Sequence, residues 1–297
     1  MILSYGFSIT GLKHRSSDKP CQDAHCIRLF SNGWAAAAVA DGLGSSARAD
    51  EAARLAVAVF NELDESELPA VWDPDAACAL LKTCFQRALL SIKLAAAEEN
   101  SGQNDHNTTL TAVLFDGKNV AYGHCGDSGI IGLTTGGEYR IITQAQKGEE
   151  FNSVIPLNFG SEYWIFDSAE EEFCSLLLMT DGLFDVATPS LLADDEKTGG
   201  VYIRFVRQFM DASVLGMTRE NAAKTEEAVN AFFDEGPSPD VTDDKTLVCL
   251  IREGFTPLVK EEAYYAEPDW AALRETKHKK LYGQTDSEGE ESNDDVL

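Results

Sequence analysis

Between residues 109 and 134 three short β-rich runs follow one another with no room for a helix between them. They cover 109–115, 120–125 and 129–134, and are separated by Asp116-Gly117 and by Gly126. Strands joined this tightly pair antiparallel, because a parallel crossover needs about a dozen residues or more. Similar runs occupy 2–9, 163–167, 173–179 and 246–251, and 25–30 with 34–40 forms a hairpin around Ser31-Asn32-Gly33. Helical spacing appears elsewhere. Ser45 or Ser46 caps a helix running to about residue 63, whose apolar face is Ala52, Leu55, Ala56, Val59 and Phe60. A second helix spans 75–98 with Leu80, Leu81, Cys84, Leu89 and Ile92 on its buried stripe, and two more cover 201–210 and 220–233. The order is strands, helices, strands, helices, strand. Without steady β-α-β alternation, this predicts an α+β fold of antiparallel sheets layered with helices.

Composition narrows the partners. The 297 residues suit one large domain, and 44% hydrophobic residues are enough to bury a core. No apolar run approaches the ~20 residues of a membrane span. The start of the chain has neither the basic end nor the apolar stretch of a signal peptide, so a cytoplasmic protein without a membrane partner is expected. Seven cysteines with no Cys-x-x-Cys pair read as single thiols rather than as a disulfide framework or a zinc site. A formal net charge of −26 argues against nucleic acid as a partner, since its phosphates would be repelled. The folded domain is expected over 1–255, with a partly helical extension over 256–284. From Thr285 the chain carries six acids and no base, and this tail, 285–297, is expected to be disordered.

The aspartates carry the chemistry. Apolar runs end repeatedly in an aspartate beside a small residue: Ala40-Asp41-Gly42, Gly126-Asp127-Ser128 and Thr180-Asp181-Gly182. Asp243 precedes the last strand and Asp23 an early one. At any one position turn chemistry accounts for such a pair equally well. If several strand ends converge, however, the carboxylates repel until a cation joins them. Oxygen ligands without clustered Cys or His suit Mg²⁺ or Mn²⁺.

Six blocks now stand in order: Gln22-Asp23-Ala24-His25, Asp41-Gly42-Leu43-Gly44, Thr108-Thr109-Leu110-Thr111-Ala112, Gly126-Asp127-Ser128, Thr180-Asp181-Gly182-Leu183-Phe184-Asp185 and Asp243-Asp244-Lys245-Thr246. Together they resemble the phosphatase 2C family of metal-dependent serine/threonine protein phosphatases, and its bacterial branch most of all. The resemblance implies two stacked antiparallel β-sheets flanked by helix pairs. It implies two Mg or Mn ions in a core site, with a third held more weakly. Asp41 would bridge the two, with the Gly42 carbonyl as a further ligand. Asp181 and Asp243 would hold one ion and Asp23 would act on the other, largely through waters. Asp127 and Asp185 would complete the third site with Asp181. A hydroxide bridging the two ions would attack phosphorus on a phosphoprotein, and family habit adds a partner serine/threonine kinase. The phosphate clamp falls to Arg15, with His14 as the competing assignment or as proton donor.

The chain departs from the family pattern at Gln22, at Leu43 where eukaryotic members carry histidine, and at Gly129 where arginine is usual. The altered positions keep two rivals in view: a binding or sensing module without turnover, and a hydrolase of small phosphoesters. Asp244 is expected to orient water or its loop, His25 and His124 to be structural, and Thr109 and Thr111 to belong to a central strand rather than to act as nucleophiles.

Overall fold

The computed structural model describes residues 1–146, 154–193, 200–235 and 241–282. Among the described residues ten strands are arranged in two sheets. They are β1 (Ile2–Ile9), β2 (Asp23–Leu29), β3 (Ala35–Asp41), β4 (Leu110–Phe115), β5 (Val120–Cys125), β6 (Gly129–Thr134), β7 (Tyr139–Ile141), β8 (Ile165–Ser168), β9 (Phe173–Met179) and β10 (Lys245–Arg252). One sheet has the order β1-β10-β9-β6-β7, the other β2-β3-β4-β5-β8, and every pairing is antiparallel. The helices are α1 (Leu12–Ser16), α2 (Ala49–Asn61), α3 (Pro74–Glu98), α4 (Asp181–Ala187), α5 (Ile203–Met210), α6 (Ala212–Leu215), α7 (Ala222–Glu235) and α8 (Trp270–Tyr282).

Three cores separate four layers. Ala35, Ala37, Val39, Val113, Ile130, Leu176, Leu178 and Val248 fill the space between the sheets. Ala36, Ala38 and Ala40 point the other way, into a core shared with α2 and α3 around Phe60, Leu81 and Phe85. The third core joins the first sheet to α4, α5 and α7 through Leu177, Phe184, Phe209 and Phe233. The arrangement is the α+β sandwich of two antiparallel sheets with helices outside. It also explains the alanine run of β3: side chains alternate across a strand, and a strand covered on both faces is apolar at every position.

Several local expectations change. Neither Ser45 nor Ser46 caps α2. The helix starts after Arg48, and Ser46 Oγ instead donates to the Asn104 carbonyl at 2.8 Å, because residues 42–48 fold into a loop pinned by the segment before β4. Helix α3 starts at Pro74 with the Asp73 side chain as its cap, and Leu80 and Leu89 sit at the edge of a stripe made by Leu81, Cys84, Phe85, Ala88 and Ile92. Helices α1, α4 and α6 and strand β7 lie outside the elements read from the sequence; all are short. The seven cysteines are unpaired, five of them buried. The 285–297 tail lies outside the described residues. No helix among the described residues is long and apolar enough to cross a membrane.

Candidate active site

Register builds the pocket floor. The β2–β3 hairpin turns at residues 30–34, and its pairing sets Asp23 directly opposite Asp41. Two like charges face to face at a strand end are unfavourable on their own. In the other sheet Met179 pairs with both Leu247 and Gly129, so the chain after β9 lies between the turn before β10 and the turn before β6. Asp181 thereby comes beside Asp243 and Asp127. The chain changes sheets at Gly126–Ser128. Gly126 has φ +117°, and a Cβ there would lie 2.5 Å from the Thr109 side chain, so only glycine makes this crossing.

Carboxylate oxygens of Asp41, Asp127 and Asp181 lie within 4.8 Å of one another. They line a pocket of about 360 Å³ together with Gly42, Asp243, Gln22, Lys13 and His14. Asp23 lies beneath, 6% exposed, and accepts a hydrogen bond from Thr180 Oγ1 at 2.7 Å. Thr180 opens α4 without capping it, its hydroxyl being committed to Asp23. Asp41 is held at its main chain: its N–H donates to Thr109 Oγ1 at 2.9 Å and its carbonyl accepts from Thr108 Oγ1 at 3.0 Å. Asp185 is exposed on α4, one turn beyond Asp181.

The crowding appears in the acidities. Burial, opposed by the Thr180 hydrogen bond and reinforced by the charge of Asp244, pushes Asp23 up to about 8. Burial, then the charges of Asp23, Asp181 and Asp127, holds Asp41 well above the usual carboxylate range. Asp181 is raised by burial and then by Asp243. Buried Gln22 Oε1 has no hydrogen-bond partner among the described residues and borders the same pocket. An all-oxygen donor set, mutual repulsion and an orphaned carbonyl oxygen fit a hard divalent cation.

The wall above the floor comes from α1. His14 is buried, and its Nδ1 lies 2.9 Å from Asp244 Oδ2. Asp244 also accepts from the Gly11 and Gln22 main-chain N–H groups at 2.7 and 2.6 Å. It therefore fixes the loop and the imidazole together. Arg15 is corrected by this geometry. Its guanidinium pairs with Asp234 on α7 and is not among the residues lining the pocket, because the turn of α1 sends adjacent side chains in different directions. Lys13, which sequence reasoning passed over, faces the pocket instead. Only the helical turn of α1 marks it, and a five-residue helix between strands leaves no periodic signal.

The remaining polar candidates are structural. His25 meets Ser8 Oγ at 2.8 Å, and His124 meets Thr111 Oγ1 and the Gln144 carbonyl, both at 2.9 Å. Burial lowers the affinity of His124 for a proton to about 4, so the ring is neutral. A Cβ on Gly129 would lie 2.1 Å from the Phe184 ring, so no arginine fits there.

A family model described as Protein phosphatase 2C matches residues 10–229. The chain belongs to the protein phosphatase 2C family. Its members are metal-dependent serine/threonine phosphatases, and the chain is an enzyme of that class. No curated protein matches the sequence. Among solved structures, a bacterial serine phosphatase superposes with a TM-score of 0.57 at 16% identity, covering 86% of this chain and 99% of its own. Stp1 from Staphylococcus aureus gives 0.55 at 16%, covering 86% and 96%. The PstP catalytic domain, in complex with two manganese ions, gives 0.56 at 21%, covering 84% and 97%. At these identities the likeness establishes the fold.

Proposed function

We propose that this phosphatase 2C domain hydrolyses phosphoserine and phosphothreonine on proteins, using Mg²⁺ or Mn²⁺ held by the aspartate floor. The observation that carries the reading is the meeting of Asp41, Asp127 and Asp181 within 4.8 Å at the base of an open pocket. Asp41, with the Gly42 carbonyl, would serve two ions; Asp181 and Asp243 would hold one of them, and Asp23 would steady the other through waters. Asp127 and Asp185, with Asp181, offer a third and weaker position. When bound, these ions supply a nucleophile from water and the positive charge that an acidic chain otherwise lacks. The reading is supported by the two manganese ions of PstP.

The chain's own residues do the rest. Lys13 and His14 give the pocket a basic wall toward the phosphate. With Nδ1–H directed at Asp244, His14 presents Nε2 to the substrate, and its proton serves the leaving serine or threonine oxygen. This assignment replaces the family's arginine clamp by a lysine point charge. A serine/threonine kinase that makes the same phosphoproteins is the partner such a reaction implies, in signalling within the cytoplasm.

The test is turnover of a phosphothreonine peptide and of p-nitrophenyl phosphate, with EDTA, Mg²⁺, Mn²⁺ or Zn²⁺. Activity on both, lost in EDTA and restored by Mg²⁺ or Mn²⁺ more than by Zn²⁺, is expected. Turnover in verified metal-free protein would sink the reading. No turnover with any ion would favour a binding module, and turnover of small esters alone a small-molecule hydrolase.

A further inference from the structure

A second group of metal-ligating side chains lies away from the pocket residues. Glu51 on α2, Glu99 just past α3 and His106 in the turn before β4 each bring one ligand atom within 4.8 Å of the other two. The His106 ring is fully buried, at 0% exposure. Neither of its nitrogens has a hydrogen-bond partner among the described residues, and neither does Glu51 Oε2. A buried imidazole left unsatisfied at both nitrogens is costly, and native structures keep such groups where something else binds them. His106 Nε2 is 3.6 Å from Glu51 Oε2, beyond hydrogen-bond reach. The distance is near the ~3.3 Å that separates two ligands of one tetrahedral ion with bonds of about 2.0 Å. Arg48 sits on Glu99 Oε2 at 3.0 Å from its half-exposed side and leaves the Glu51 oxygen and the imidazole unsatisfied.

We propose that Glu51, Glu99 and His106 form a separate divalent transition-metal site, selective for Zn²⁺ over Mg²⁺. The donor set decides the ion. One imidazole with two carboxylates suits zinc, whereas Mg²⁺ takes oxygen ligands and keeps its waters. Arg48 marks the exposed side and yields Glu99 when the ion enters.

The location gives the ion a task. Its ligands tie α2 and α3 to the segment that braces the pocket loop. In that segment the Asn104 carbonyl accepts from Ser46, the Asp105 carbonyl from the Arg48 N–H, and the Asn107 carbonyl from the Leu43 N–H. Thr108 and Thr109, next in sequence, hold the main chain of Asp41. Zinc here stiffens the support of Asp41 from behind, without touching substrate.

The experiment is a calorimetric Zn²⁺ titration of the full chain, stripped of metal and then saturated with Mg²⁺, combined with X-ray absorption at the zinc edge. One equivalent of tight uptake is expected, with a nitrogen and oxygen shell containing one imidazole and no sulfur. Glu51→Gln and Glu99→Gln, both at partly exposed positions that leave the fold intact, should each weaken uptake about 100-fold or more. Asp181→Asn should leave it unchanged. A melting curve for each variant verifies folding. Uptake insensitive to both glutamine variants, sulfur in the shell, uptake lost in Asp181→Asn, or no uptake beyond the Mg²⁺-filled pocket would each overturn the proposal.

Discussion

The two halves of the pocket floor are built on different principles. Asp23 and Asp41 belong to one hairpin and face each other by local register. Asp127, Asp181 and Asp243 come from three turns brought together by pairings between segments some 50 to 70 residues apart along the chain. The hairpin half is clamped: Thr180 holds the Asp23 side chain and Thr108 and Thr109 hold the Asp41 main chain. The other half is more open, with Asp243 and Asp185 exposed. A rigid half fixes where charge must sit, and an open half lets ions and substrate arrive. Asp181, touched electrostatically by both halves, is the point at which they can be separated.

Asp181→Asn is expected to give the largest effect. It should lower turnover on a phosphopeptide by about 10³-fold or more, roughly 4 kcal/mol in the barrier. The metal-free protein should melt no earlier than wild type, because one repelling charge is gone. Wild-type turnover in steady-state kinetics would remove Asp181 from the floor.

An intermediate effect concerns the clamped half without metal. The folded-state proton affinities of Asp23 and Asp41 lie above those of the unfolded chain, so folding takes up protons. Their contribution to stability is complete below about pH 4 and is lost as pH rises through the folded value, about 8 for Asp23. In EDTA stability should therefore be lost between about pH 4 and pH 8, at up to ~1.4 kcal/mol per pH unit for each proton by which the folded and unfolded chains differ, and the melting temperature should fall with it. Saturating Mn²⁺ should offset that fall, and Asp23→Asn should flatten it. A melting temperature in EDTA that rises over this window would show that burial does not raise the proton affinity of these carboxylates.

The smallest effects lie on α1, where neighbouring residues divide between pocket and surface. His14→Ala should lower kcat on a phosphothreonine peptide more than on p-nitrophenyl phosphate, whose phenolate leaves without needing a proton. Lys13→Ala should raise KM several-fold with a smaller change in kcat. Arg15→Ala should alter neither beyond about twofold, since its ion pair with Asp234 is solvent-exposed and such pairs contribute about 0–1 kcal/mol. A KM change confined to Arg15→Ala would return the clamp to arginine.

The sequence by itself determined the layers and half of the floor. β-rich runs with short connections dictate antiparallel sheets, and the alanines of β3 record burial on both faces. The turn at Ser31-Asn32-Gly33 fixes the Asp23–Asp41 pairing, because a hairpin's register follows from its turn. What only the tertiary structure decided is long-range or too short to be periodic. Ser46 looks like a helix cap and is instead a brace on Asn104. Lys13, His14 and Arg15 are adjacent in the chain, but their environments differ because α1 turns Arg15 toward α7 and leaves the other two at the pocket. Glu51, Glu99 and His106 fall in no motif, being joined only where α2, α3 and the turn before β4 pack together. Periodicity and turn chemistry report what a residue does within its own element. Which elements meet is set by the burial of their apolar faces against each other, and that is decided by the whole chain at once.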